Sequence, residues 1–167
     1  DCFGCDIDYS LGKNFADFAD QFSKDSRYRT ELYKLRRKFM SHADGLIHAD
    51  LHTSNIMASR DKMKVIDMEF AFMGPFGYDL GYLVGNLISQ YCAACFKRFP
   101  SEQSRKQFKA YLLATIKSLI ETYMKTFTLC WEKSVKERYR GQQGLLQSIL
   151  QEVMEDVPGY ASMVNWF

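Results

Sequence analysis

The chain has 167 residues, a formal net charge of +2, and 47% hydrophobic residues. That length carries one domain with one core, and that hydrophobic content excludes global disorder. The balanced charge gives no basic footprint for nucleic acid, and no run of roughly 18 apolar residues exists to span a membrane.

Residues 1 to about 13 read as irregular, broken by Gly4 and Gly12. A short helix is expected next, with Phe15, Phe18, Ala19 and Phe22 along one side. A second helix is predicted over Ser26 to Ser41, with Tyr28, Leu32, Leu35 and Phe39 at helical spacing. Its other face is basic, carrying Arg27, Arg29, Lys34, Arg36, Arg37 and Lys38, and reads as a solvated face. The middle of the chain changes character. Leu46 and Ile47 precede a polar loop, and Ile56 to Ala58 and Met63 to Ile66 form a hairpin around the turn Ser59-Arg60-Asp61-Lys62.

Helices return after Pro75. Leu80, Leu83, Val84, Leu87, Ile88 and Tyr91 follow the helical repeat, with Asp79 as the expected N-terminal cap. A long helix runs from about Glu102 past Thr126, with Ser101 and Ser104 as cap candidates. Its predicted core stripe is Phe108, Tyr111, Leu112, Ile116, Leu119, Ile120 and Tyr123. The last helix carries Leu145, Leu146, Ile149, Leu150, Val153 and Met154, and should stop at Pro158-Gly159. The expected fold is mainly α with a small β-hairpin, in a single domain over residues 1–167. The candidate chemistry lies within about 46–70 and a helical subdomain within about 76–157.

Five cysteines are present, four of them in C-x-x-C pairs, Cys2 with Cys5 and Cys92 with Cys95. Two such pairs can build a four-thiolate zinc site from knuckle-like turns. The second pair lies in a helical segment far from the first, so reduced structural thiols are the expectation. No basic start followed by an apolar run marks a secretory signal, and the expected compartment is the cytoplasm.

The chemistry gathers in Ile47-His48-Ala49-Asp50-Leu51-His52-Thr53-Ser54-Asn55-Ile56, which contains H-x-D-x-x-x-x-N, followed by Val65-Ile66-Asp67-Met68-Glu69-Phe70. Phosphoryl transfer from ATP needs few protein groups, but these must be well placed. One carboxylate accepts the proton of the attacking hydroxyl, and oxygen ligands hold Mg2+ against the nucleotide phosphates. Asp50, Asn55 and Asp67 are the right types in the right order. Glu69, two residues beyond Asp67 on an extended strand, would point to the same side as a further metal ligand. His48 is expected to brace the loop by hydrogen bonds. His52 is a candidate substrate contact or a loop cap, and His42 an exposed helix-end residue. The H-A-D-L-H stretch also suggests a hydrolytic His/Asp metal cluster, which needs a third ligand beyond the Asp67 and Glu69 already used.

LIHADLHTSNIM and VIDMEFAFMGPFGYDLGYLVGNLI resemble the aminoglycoside phosphotransferase and choline kinase superfamily of protein-kinase-like folds. Within it they are similar to the methylthioribose kinases, whose pattern runs H-G-D-L-H-T, I-D-x-E-F-A-F, G-P-x-G-[FY]-D-[IL]-G and G-N-L. The resemblance is dense over about Leu46 to Tyr91. It implies the C-terminal lobe of such a kinase, with the nucleotide-holding N-terminal lobe absent. It also implies ATP and Mg2+, a small-molecule hydroxyl substrate, and transfer of the γ-phosphate to the 1-hydroxyl of 5-methylthioribose in methionine salvage. Asp50 would be the base, Asp67 and Glu69 metal ligands, and Asp79 the anchor of the catalytic loop. Members are often dimeric, which adds a homodimer to the implied partners. Ala49 stands where the family has glycine, and Asn55 where it often has a small hydroxyl residue. No glycine-rich phosphate loop precedes Asp50, so a fragment that is inactive by itself is expected.

Overall fold

The computed structural model describes residues 20–163 apart from position 22. The expected helix through Phe15 to Phe22 and the Cys2-Cys5 pair lie outside the described residues. Helix α1, Ser26–Ser41, forms over the predicted residues. The Asp25 carboxylate caps it, accepting from the Arg27 and Tyr28 amides at 2.8 and 3.1 Å. Strand β1, Gly45–Ile47, leads into the candidate catalytic loop. A short 3-10 turn, Thr53–Asn55, then opens strand β2, Ile56–Ala58, which pairs antiparallel with β3, Met63–Val65.

A second strand pair was not legible in the residue pattern. Strand β4, Phe72–Gly74, runs antiparallel to β1 with Gly45 opposite Gly74 and Ile47 opposite Phe72. The two pairings are separate two-stranded sheets, and they place Leu46–Gly74 as one folded-back unit. Each strand has only three residues and no strong alternation, so pairing is decided by the contacts available once the chain turns back.

Helices make up the rest: α2, Gly77–Ala93; α3, Glu102–Ser134; and α4, Gln143–Met163. Ser101 caps α3 through the Ser104 amide at 3.1 Å. Leu80 and Val84 of α2 pack on Val153, Val157 and Ala161 of α4, and Ile116, Leu119, Ile120 and Tyr123 of α3 close the cluster. Tyr111, assigned to that stripe from its spacing, is 65% exposed. It marks the edge of a face that only Leu112 enters fully. Among the described residues, no helix is long and apolar enough to cross a membrane.

Helix α4 does not stop at Pro158-Gly159, as its stop signals predict, but continues to Met163. Pro158 removes one helical N–H, a local cost. Burial beyond it offsets that cost, since Tyr160, Ala161 and Met163 are all in the interior. Gly159 serves close packing here, because a Cβ would run into the Leu35 side chain of α1.

The α2–α4 contact rests on glycines in the same way. A Cβ on Gly81 would lie 2.6 Å from Tyr160 Cβ and 2.9 Å from the Val157 carbonyl oxygen. The second obstacle is backbone, so relief requires the helices to separate. Gly81→Ala is expected to destabilise the fold by about 1–3 kcal/mol. The shift in denaturant midpoint measures this, and an unchanged midpoint would show that the helices have slack.

The basic face of α1 is exposed apart from Lys38. Lys38 Nζ turns inward and pairs with Glu152 Oε1 at 2.5 Å and with Asp156, tying α1 to α4. Burial pulls the Lys38 pKa down, but these two carboxylates more than offset it and leave it raised. Burial raises Asp156, and the Lys38 ammonium returns only part of that shift.

Candidate active site

The loop after β1 is held from below by two side chains of α2. Asp79 and Asn86 are seven residues apart, two turns along one face of the helix. The Asp79 carboxylate accepts the His48 amide at 2.6 Å and the Ala49 amide at 3.0 Å. Asn86 Oδ1 accepts the Thr53 hydroxyl at 2.7 Å and, more weakly, the Thr53 amide at 3.4 Å. The capping role predicted for Asp79 is therefore corrected. It is the third residue of α2, Phe76 occupies the cap position without a side-chain bond, and Asp79 serves the loop instead. Burial raises the Asp79 pKa, while the two amides work against that shift. Asn86 was missed in the residue pattern. The available signal was a second polar side chain on the face already carrying Asp79.

Both ring nitrogens of His48 are committed. Nδ1 accepts the Asp50 amide at 3.3 Å, and Nε2 lies 2.8 Å from the Ile66 carbonyl oxygen. An amide only donates and a carbonyl only accepts, so Nδ1 is the acceptor and the proton toward Ile66 sits on Nε2. His48, 5% exposed, thereby joins the loop to the residue before Asp67. The Ile66 amide returns a bond to the Asn55 carbonyl at 3.0 Å. These two bonds bring 48–55 and 66–67 together.

Asp50 is half-buried at the centre of this loop. Its Oδ2 receives Asn55 Nδ2 at 3.3 Å and faces His52 Nε2 at 3.4 Å. Asn55 Nδ2 also donates to the Asp50 carbonyl at 3.0 Å. Both partners of Nδ2 are acceptors, which settles the amide orientation. Asn55 Oδ1 and Asp50 Oδ1 are left without hydrogen-bond partners among the described residues. His52 Nδ1 accepts the Ser54 amide at 3.2 Å, so its proton is on Nε2, directed at Asp50. His42 is half-exposed at the end of α1, with Nδ1 3.7 Å from Asp44.

Asp67 adopts φ 64° and Ala49 φ 66°, the only two non-glycine residues with positive φ among the described ones. Such conformations cost about 1–2 kcal/mol for a residue with a Cβ, and they collect at functional sites. The left-handed turn at Asp67 also overturns the strand argument for Glu69. Strand β3 ends at Val65, and the chain turns through Met68–Ala71 with an Ala71 amide to Met68 carbonyl bond of 3.1 Å. Alternation along a strand therefore does not fix the direction of Glu69. Both carboxylates are exposed, and neither has a hydrogen bond or ion pair among the described residues.

The free donor set is all oxygen: Asn55 Oδ1, Asp67 and Glu69. That chemistry suits a hard cation that keeps several waters, such as magnesium. No three His, Cys, Asp or Glu side chains among the described residues form a closed metal cluster. Cys92 and Cys95 are exposed, at and just past the end of α2.

A brace of half-buried hydrogen bonds around one carboxylate, next to free oxygen donors, is the layout expected of a phosphotransferase lobe. The pattern of the APH family, described as a phosphotransferase enzyme family, matches residues 9–119. The chain belongs to that family. It is 33% identical over 142 residues to a methylthioribose kinase of Exiguobacterium sibiricum, covering 85% of this chain and 34% of that protein. It is 37% identical over 137 residues to a methylthioribose kinase of Geobacillus thermodenitrificans, covering 82% and 32%. It is also 38% identical over 110 residues to methylthioribose kinase 1 of Oryza sativa subsp. japonica, covering 66% and 25%. The chain spans about a third of the length of the curated bacterial relatives it matches. The match includes the whole candidate site, from His48 to Asn86.

Proposed function

We propose that this chain is the acceptor-side lobe of an ATP-dependent kinase acting on the 1-hydroxyl of 5-methylthioribose. The observation that carries the kinase reading is the pairing of Asp50 with Asn55 in a loop that His48 joins to the segment of Asp67. The acceptor is supported by the resemblance of three relatives named methylthioribose kinase. The lobe would act within a longer cytoplasmic protein.

In this reading Asp50 is the general base. Asn55 and His52 both address Oδ2, so Oδ1 is the oxygen left for the acceptor hydroxyl. The hydroxyl proton passes to Asp50 as the acceptor oxygen bonds to the γ-phosphorus. The bond from that phosphorus to the departing ADP oxygen breaks, and the nucleotide takes the bonding electrons. His52 donates from Nε2 toward Asp50 and orients it, close enough to meet the acceptor as well. Asn55 and Asp67 would hold magnesium, with Glu69 as a further carboxylate. Bound there, the metal supplies positive charge that screens the phosphates. His48, Asp79 and Asn86 touch no reacting atom and hold the loop in register.

The test is phosphate transfer by the whole protein, of which this chain is a part, with ATP and magnesium. The acceptors are methylthioribose, choline, an aminoglycoside and ribose. Transfer to methylthioribose well above the other three is the expected result. Transfer confined to another acceptor would keep the kinase and remove the substrate. A folded protein that phosphorylates none of them would overturn the kinase reading.

A further inference from the structure

Cys92 and Cys95 take no part in the candidate active site. Their helical segment marks them as structural thiols, yet both are free and exposed. Cys92 is the second-last residue of α2, and Cys95 stands two residues past its end. The Cys95 amide donates to the Cys92 carbonyl at 3.1 Å. That bond closes a four-residue turn, whose outer Cα atoms lie within about 7 Å of each other. A disulfide takes Cα atoms about 4.4–6.8 Å apart. Residues three apart in a helical turn also share a face. The backbone therefore holds the two residues at a separation that one disulfide spans. Cys95 lies outside the helix, so its side chain can turn toward Cys92 without disturbing α2.

The two sulfurs differ in their electrostatic surroundings. The C-terminal end of a helix carries partial negative charge, which disfavours a thiolate in its last turn. Cys92 sits there and has no cation at hydrogen-bond distance among the described residues. Cys95 has one, because Lys109 Nζ of α3 donates to its Sγ at 3.4 Å. The same ammonium rests 4.2 Å from the centre of the Tyr91 ring, which holds it beside the pair. Its own pKa is raised, first by the bond to Cys95, so it stays charged. An exposed sulfur beside a held cation is the setting of reactive cysteines. Cys130 on α3 is also exposed but has no hydrogen bond among the described residues. From Ala94 to Lys109 the chain carries Lys97, Arg98, Arg105, Lys106 and Lys109 against one carboxylate, Glu102. That balance favours an anionic co-reactant.

We propose that Cys92 and Cys95 are a dithiol site that exchanges with a small anionic disulfide and closes into a reversible disulfide of its own. The Cys95 thiolate attacks one sulfur of the small disulfide and a mixed disulfide forms. The old S–S bond breaks, and its electron pair leaves on the departing thiolate, which takes a proton from solvent. Cys92 then gives its proton to solvent and attacks the Cys95 sulfur. The second small thiolate departs and is protonated in turn. The two protein thiols are oxidised to one disulfide, and the small disulfide is reduced to two thiols. An excess of small thiol reverses both steps, and an exposed disulfide is of the labile kind. The inference is independent of the kinase reading.

The experiment treats the fully reduced whole protein with oxidised glutathione at neutral pH, stops the reaction with acid, and weighs the tryptic peptides. Cys92 and Cys95 fall in one peptide, residues 65–97. In the wild type this peptide should become lighter by two hydrogens, carry no glutathione, and do so before Cys130 reacts. Cys92→Ser should stop at glutathione bound to Cys95. Cys95→Ser should react at Cys92 at least about tenfold more slowly than the wild-type pair closes. Lys109→Gln, with unchanged circular dichroism, should slow capture at Cys95 by about threefold or more. A wild-type peptide that keeps both thiols while Cys130 is modified overturns the proposal. So does a lasting glutathione adduct on wild-type Cys95, or a Lys109→Gln variant that reacts at the wild-type rate.

Discussion

Asp50→Asn is expected to slow phosphate transfer by about 10²- to 10⁴-fold in the whole protein. The substitution keeps size and shape. Its amide oxygen can still accept from Asn55 Nδ2, now 3.3 Å from Oδ2, so the loop has little reason to move. The amide nitrogen would occupy the Oδ1 position, which has no hydrogen bond now and is the proposed receiver of the acceptor proton. An amide cannot take that proton. The loss should fall on kcat, with the acceptor KM little changed, because the missing interaction forms only as the hydroxyl is deprotonated. Steady-state kinetics decide the point. A kcat within tenfold of the wild type would remove Asp50 from the role of base.

Asp79→Ala is expected to destabilise the protein by about 2–3 kcal/mol and to disorder the loop around Asp50. Two backbone amides, those of His48 and Ala49, would lose their acceptor at once, with bonds of 2.6 and 3.0 Å broken. A stranded amide costs about 1–3 kcal/mol, and part of the sum is recovered because a buried charge disappears. The left-handed conformation of Ala49, at φ 66°, depends on the same clamp. Asp79→Asn should be nearly as damaging. An amide offers one acceptor where two are used, and turns its NH2 toward a second N–H donor. Denaturant unfolding and amide exchange at positions 48 and 49 measure both effects. An Asn variant with wild-type stability would mean that Asp79 fills space rather than accepting these bonds.

The two positions differ in what they test. Asp50 touches the proposed reacting oxygen, whereas Asp79 acts through the backbone of the loop. Loss of transfer in both, with loss of stability only at Asp79, is the pattern expected of a base held by a half-buried brace. The alternative, a His/Asp metal cluster of hydrolytic type, fits the hydrogen bonding less well. Both nitrogens of His48 are already occupied within the protein, and His52 has only Nε2 to offer.

Helix α1 was readable from about Ser26 to Ser41 because four apolar residues at helical spacing act within a few residues of one another. The same holds for the start of α3 at Ser101 and for the β2–β3 hairpin, whose turn is four residues long. The order Asp50, Asn55, Asp67 was also plain in the chain, because the chemistry requires those residue types at short separations. What stayed hidden depends on partners distant in sequence. Strand β4 exists because Gly74 meets Gly45, α4 passes Pro158 because Tyr160 and Ala161 find a core, and Lys38 leaves its basic face because Glu152 and Asp156 wait on another helix. The local pattern read Asp79 only as a cap, and the family resemblance alone implied that it anchors the loop, because His48 and Ala49 come to it from 31 and 30 residues away. Local signals determine which segments become helix or turn. Tertiary contacts decide where those segments end and which buried polar groups meet, because an unpaired amide or charge in the interior costs more than any local preference returns.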